Sequence, residues 1–287
     1  VTTSDRAQAS SARGASGSAT KKGRVLIVAG SDSGGGAGLQ ADVKAITMLG
    51  GFAATAVTAI TVQNTLGVHA VHPLPVHLIA AQADAVLEDI GTDAVKTGML
   101  GSVEVVETVA AILDRANAPA VVDPVMVAKG GHPLLPVEAV EAVKALMVPS
   151  AALLTPNALE AEALTGIEVR DLDGQRRAGE AILAMGARAV LMKGGHVPGE
   201  AVVDLLLTSS GETLLEGERV ETRHTHGTGC TLASACAAGL ARGLPLEVAV
   251  AEAWAYVAEA IRRAPGLGGG HGPLDHGWPI RDRLDKR

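Results

Sequence analysis

Residues 24–62, RVLIVAGSDSGGGAGLQADVKAITMLGGFAATAVTAITV, place two β-branched apolar runs on either side of a glycine-rich turn and a helical segment. The runs over 25–29 and 54–62 read as strands, and 37–49 reads as a helix whose apolar stripe carries Leu39, Val43 and Ile46. Strand, crossover helix and strand form the unit of a parallel sheet. The first run is apolar at every position, as a strand covered on both faces requires.

The same alternation continues along the chain. Further strands are predicted over 94–97, 120–123, 153–155, 189–193 and 201–207, and further helices over 75–90, 103–116, 136–148, 158–164, 174–185, 229–242 and 246–263. The fold class is therefore α/β, and ligands of such sheets bind at the C-terminal ends of the strands. No internal repeat is visible. Residues 1–22 lack an apolar run and read as a mobile tail, neither secretory signal nor membrane anchor. Residues 23–287 read as a single domain, and no apolar run is long enough to span a bilayer.

Composition narrows the function. Lys and Arg number 24 against 31 Asp and Glu, a net charge of −7, with no basic run longer than two. With only two Trp, one Tyr and one Phe as well, the chain lacks both the charge and the stacking surfaces of nucleic-acid binders. A small polar ligand is expected. Cys230 and Cys236 lie six apart in one predicted helix, about 9 Å along its axis, too far for a disulfide. Two free thiols point to a reducing, cytoplasmic setting. The nine histidines form no zinc pattern, and His224 and His226 are assigned to a loop.

Neither the P-loop pattern nor G-x-G-x-x-G occurs. Two other glycine-rich segments each lead into a helix: SDSGGGAGLQAD (31–42) and THGTGCTLASA (225–235). In the second, Gly227, Thr228 and Gly229 would expose successive N–H groups at the positive end of a helix, a nest for a transferring phosphoryl group. Cys230, in the same turn, would have its thiolate favoured by the dipole and could accept a proton from an attacking hydroxyl. A tight turn with a small buried thiol explains the same residues. Asp42 interrupts an apolar stripe and is either a bonded core group or a ligand contact. Asn157 and Glu160, three apart beyond a strand, suit Mg²⁺ or form a capping box. Lys193 and Asp123 end two further strands at the same rim, where an ATP phosphate could pass.

The segments IVAGSDSGGGAGLQAD, VTAITVQNT, VKTGML, DPVMVAKGG, LLTPNALEAEALTG, VLMKGGH and HTHGTGCTLASA occur in the order seen in hydroxymethylpyrimidine and phosphomethylpyrimidine kinases of thiamine biosynthesis. The chain resembles that group, within the ribokinase superfamily, over about residues 25–276. The resemblance implies a three-layer α/β/α sandwich with a mainly parallel central sheet, usually a homodimer. It further implies transfer of the γ-phosphoryl of ATP to 4-amino-5-hydroxymethyl-2-methylpyrimidine and then to its monophosphate. Carried onto this sequence, Gln63 matches the pyrimidine-bonding residue, with Gly30, Asp42 and Met99 lining its pocket. Cys230 matches the base, Gly227, Thr228 and Gly229 the anion hole, and Lys193 a phosphate contact. Asn157 and Glu160 match the Mg²⁺-associated pair, acting through water. A need for K⁺ stays open. Departures are Gly34 where Ser is common, Gly130-Gly131-His132 after Lys129, and Asp275 where Asn is frequent. Alternative readings are a pyridoxal or pyridoxine kinase and a non-catalytic pyrimidine-binding sensor.

Overall fold

The structure, a computed structural model, describes residues 23–126, 134–197, 199 and 201–285. The predicted tail and the 130–132 departure lie outside the described residues. β1 (Arg24–Asp32), β2 (Phe52–Asn64), β3 (Gly67–Pro73), β4 (Ala94–Thr97), β5 (Ala120–Val122), β6 (Leu153–Leu154), β7 (Ala189–Met192), β8 (Ala201–Thr208) and β9 (Gly211–Glu218) form one sheet. Its order is β3-β2-β1-β4-β5-β6-β7-β8-β9. The six strands from β2 to β7 pair parallel, whereas β3, β8 and β9 join antiparallel at the two edges.

The helices are α1 (Gly38–Met48), α2 (Val76–Asp89), α3 (Val103–Ala116), α4 (Val137–Ala142), α5 (Val148–Ser150), α6 (Ala158–Thr165), α7 (Leu172–Ala184), α8 (Thr228–Ala241), α9 (Leu246–Arg262) and α10 (Trp278–Leu284). A π-turn at Val143–Met147 joins α4 to α5 inside what the periodicity predicts as one helix. Successive β1 side chains enter opposite cores, as the pleat dictates. Leu26 and Val28 pack with Ile79, Val109, Leu164 and Ile182 of α2, α3, α6 and α7. Val25 and Ile27 pack with Leu39, Leu232 and Val250 of α1, α8 and α9. Three layers result.

β3 and β9 are absent from the sequence expectation because both are edge strands with mostly exposed residues, without the apolar alternation that marks a half-buried strand. The α8 helix is built of small residues because it must lie close to α9: a Cβ on Gly239 would stand 2.6 Å from that of Ala249. This close seating brings the start of α8 to the sheet's C-terminal rim. Among the described residues, no helix is long and apolar enough to cross a membrane.

Candidate active site

Two helix starts converge on the rim. Gly38 opens α1 at φ +53°, and a Cβ there would stand 2.4 Å from the Gly30 carbonyl oxygen. Gly227 precedes α8 at φ +83°, and its Cβ would stand 1.8 Å from the Gly36 carbonyl oxygen. Only glycine lets these two loops touch main chain to main chain. Neither helix has a side-chain cap. Thr228 turns its N–H and its hydroxyl back onto the Thr225 carbonyl. The following N–H groups, of Gly229 and Cys230, sit at the positive end of the α8 dipole, where an anion is stabilised.

Beneath the α8 start lies a charged floor. Lys193, immediately after β7, donates to Asp123 Oδ1 at 3.0 Å and lies 3.6 Å from Glu160 Oε2. Its ammonium also stands 3.1 Å from where a Gly229 Cβ would be, so the lysine and the helix start face the same space. Burial alone would lower Lys193; Asp123 and Glu160 outweigh it and hold the ammonium charged above its ordinary range. The turn after Lys193 is fixed by Asp204, which accepts the Gly194 N–H at 2.6 Å and whose carboxyl burial pushes up to about 6.

Asn157 and Glu160 are occupied in the way the local alternative anticipates. Asn157 Oδ1 accepts the Glu160 N–H at 3.0 Å and Glu160 Oε2 accepts the Asn157 N–H at 2.8 Å, a complete capping box. Glu160 nevertheless keeps its contact with Lys193, so the cap delivers a carboxylate to the rim. Burial pushes that carboxyl up, and Lys193 opposes the shift. The surrounding donors, Asn157, Glu160 and Asp123, are hard oxygens of the kind Mg²⁺ prefers. Among the described residues no three acidic, His or Cys groups gather closely enough to hold a metal ion by themselves.

At two of the sequence-predicted residues the surroundings differ from those expected. Asp42 contributes no exposed atom to a pocket: it and Lys96 both have 0% side-chain exposure. Lys96 Nζ donates to both Asp42 oxygens at 2.9 Å and Ser234 Oγ to one at 2.7 Å. The carboxylate is thus a bonded group beneath the site. Cys230 is half-buried beside this pair. Its thiol is not lowered. Burial pushes it up to about 12, with Asp42 and Asp123 adding to the shift, and Lys96 recovers only part.

On the other side of the glycine loops, Met99 covers Gly30 so closely that a Cβ there would stand 2.5 Å from the methionine methyl. The Gln63 amide lies 3.2 Å from both His226 Nε2 and Thr61 Oγ1. His226 Nε2 is 2.9 Å from Asp32 Oδ2. Asp32 also accepts the N–H groups of Gly34, Gly36 and Ala37 at 2.8–3.1 Å, shaping the first loop around its carboxylate. Burial would raise Asp32; the bonds from His226, Ala37 and Gly34 prevail and hold it below the usual carboxylate range. Asp32, His226 and Lys96 are site residues that sequence reasoning missed. A charged residue inside the apolar strand AVKT was the available signal for Lys96, and an Asp directly ahead of a glycine run that for Asp32.

Comparison with known proteins shows the family. The family described as phosphomethylpyrimidine kinase matches residues 32–275. A hydroxymethylpyrimidine/phosphomethylpyrimidine kinase of Streptomyces coelicolor is 53% identical over 256 residues, 89% of this chain and 95% of the relative. Staphylococcus aureus pyridoxal kinase, solved with AMP-PCP and pyridoxal, superposes with a TM-score of 0.84 at 35% identity, covering 90% of this chain and 94% of the other. The phosphomethylpyrimidine kinase of Clostridium difficile 630 superposes at 0.74 with 42% identity, covering 83% and 99%. With a match over residues 32–275 and relatives of this identity, the chain belongs to the phosphomethylpyrimidine kinase family, on the ribokinase-like fold.

Proposed function

We propose that the protein transfers the γ-phosphoryl group of ATP to the hydroxymethyl group of 4-amino-5-hydroxymethyl-2-methylpyrimidine, and then to the resulting monophosphate, in thiamine biosynthesis. The observation that carries this is the junction at Gly227 and Gly36, which sets an uncapped helix start and Lys193 on one side and the Gln63 amide and Met99 on the other. Phosphoryl transfer needs positioning and charge stabilisation more than covalent chemistry. The Gly227, Thr228 and Gly229 turn holds the moving group, and Lys193 and Asp123 stand on the nucleotide side. Gln63 meets the pyrimidine edge, while Met99 and Gly30 offer the ring a polarizable, close surface. Cys230 takes the hydroxyl proton through its minor thiolate population. Magnesium, brought in with the nucleotide, would neutralise phosphate charge, with Asn157 and Glu160 holding it through water.

The enzyme is proposed to act in the cytoplasm as a homodimer. The exposed apolar residues Ile60, Val62, Leu66 and Val71 along the β2–β3 edge are a surface that a second copy would cover. The superposition on pyridoxal kinase favours a second reading, phosphorylation of pyridoxal. The test is ³¹P NMR of ATP and protein with each alcohol. Monophosphate and diphosphate of the pyrimidine are expected, and faster turnover of pyridoxal, or no transfer to either, would overturn the substrate assignment.

A further inference from the structure

The Gln63 side chain lies where two proton counts conflict. Asp32 is ionised and acceptor-only, taking three backbone N–H bonds in addition to His226, so His226 Nε2 must carry a proton and donate it at 2.9 Å. The Gln63 NH₂ group at 3.2 Å from the same nitrogen would then face an N–H with another N–H. At the other end, the Thr61 hydroxyl donates its single hydrogen to the Ser31 carbonyl at 2.9 Å and has none for the Gln63 oxygen at 3.2 Å. Turning the amide by 180° relieves both: Nε2 donates to Thr61 Oγ1, and Oε1 faces the Nε2 hydrogen of His226, which it shares with Asp32 Oδ2 in a three-centre bond.

We propose that His226, held by Asp32, locks the Gln63 amide with its carbonyl toward the imidazole and its NH₂ toward Thr61, and so fixes the order of acceptor and donor that a substrate meets. The backbone of the same residue is also immobilised, because Ser33 Oγ accepts its N–H at 2.9 Å and donates to its carbonyl at 2.8 Å. One lone pair of Oε1 and one hydrogen of Nε2 remain free. They match a heteroaromatic edge with an exocyclic amine beside an unprotonated ring nitrogen. A 4-oxo ring with a protonated nitrogen presents the reverse order and meets carbonyl against carbonyl. His226 is thereby a positioning residue that sets specificity without touching the substrate.

The first measurement is ¹⁵N NMR of histidine-labelled wild-type protein, with the His226 signal assigned by its loss in His226→Gln. A ring protonated at Nε2 is expected, and a neutral ring protonated only at Nδ1 would overturn the lock. This readout needs no turnover, so it stands or falls apart from the function proposed above, on which only the substrate edge rests. The second measurement compares kcat/KM for the 4-amino pyrimidine with that for its 4-oxo analogue. In His226→Phe and Thr61→Val the amide is free to turn, and the preference is expected to fall by about tenfold or more, mainly through KM. His226→Gln, with two hydrogens on one nitrogen, is expected to restore it. A preference unchanged in His226→Phe would refute the inference.

Discussion

Replacing Lys96 by Met tests whether the ion pair under the active site anchors the fold. Lys96 Nζ is 2.9 Å from each Asp42 oxygen, and neither side chain has accessible surface. In the variant, Asp42 keeps only Ser234 as a donor. Removing one partner of a buried pair costs about 3–5 kcal/mol, because the other charge is left uncompensated. For a domain of this size that is a fall in Tm of roughly 6–20 °C. The pH dependence has a definite sign. Without Lys96, burial raises the folded Asp42 pKa above its unfolded value of about 3.9, so the native state binds the extra proton. The variant should therefore be most stable near the acidic end and lose stability as pH rises toward neutrality.

In the wild type the raised Lys96 contributes fully below about pH 10.4 and is lost only in strong alkali. The double change Lys96→Met with Asp42→Leu removes both charges and should recover most of the loss, since apolar replacement of a whole buried pair is often neutral. Urea unfolding and thermal melts at pH 5 and pH 8 decide the matter. A single variant melting within about 2 °C of wild type, or a double variant no better than the single one, would refute the argument.

Three further outcomes follow from the site. Gly227→Ala puts a Cβ 1.8 Å from the Gly36 oxygen at φ +83°, so the two loops must part, and steady-state kinetics should show KM rising by about tenfold or more for both substrates. If Cys230 is the base, its thiol near 12 leaves a thiolate fraction of about 10⁻⁴ at pH 8, so kcat/KM should climb about tenfold per pH unit. A plateau below about pH 9 would show another group taking the proton, as would a Cys230→Ala enzyme slowed by less than about 10²-fold. Glu160→Gln keeps the capping box but loses the charge: its Tm should stay near wild type while KM for Mg-ATP rises, whereas Glu160→Ala should also lose about 1 kcal/mol of stability.

Much of the architecture was readable because the central strands are buried on both faces, which forces near-continuous apolar runs such as VLIVA in β1 and AVLM in β7. Edge strands obey no such constraint, and β3 and β9 accordingly left no pattern to read. In the site, glycines that permit contact between main chains are visible as residue types. Their partners are not: Asp32 finds His226, and Asp42 finds Ser234, across more than 190 residues. The direction of the Cys230 shift was likewise illegible. A helix dipole can be inferred from a helix start, whereas burial beside two carboxylates depends on what the fold stacks against that start.

The charge arrangement at the rim explains why backbone amides, and not lysines, must do most of the holding. Around Cys230, the ammoniums of Lys96 and Lys193 face the carboxyl groups of Asp42, Asp123 and Glu160, and each ammonium is already engaged. Such a floor offers no surplus positive charge to a nucleotide. A polyphosphate entering it is favoured only if it brings its own counter-charge and if donors without a competing partner receive it. The N–H groups of Gly229 and Cys230, next after Thr228 in α8, meet that second condition: they carry no net charge, cannot titrate, and have no side-chain cap to displace. Lys193 can then exchange Asp123 for a phosphate oxygen without leaving a lone carboxylate, provided a divalent ion stands near Asp123 and Glu160. On the proposed function, a need for a divalent ion and the glycine nest would be two consequences of one electrostatic fact: Lys96 and Lys193 are spent on holding the carboxylates beside them.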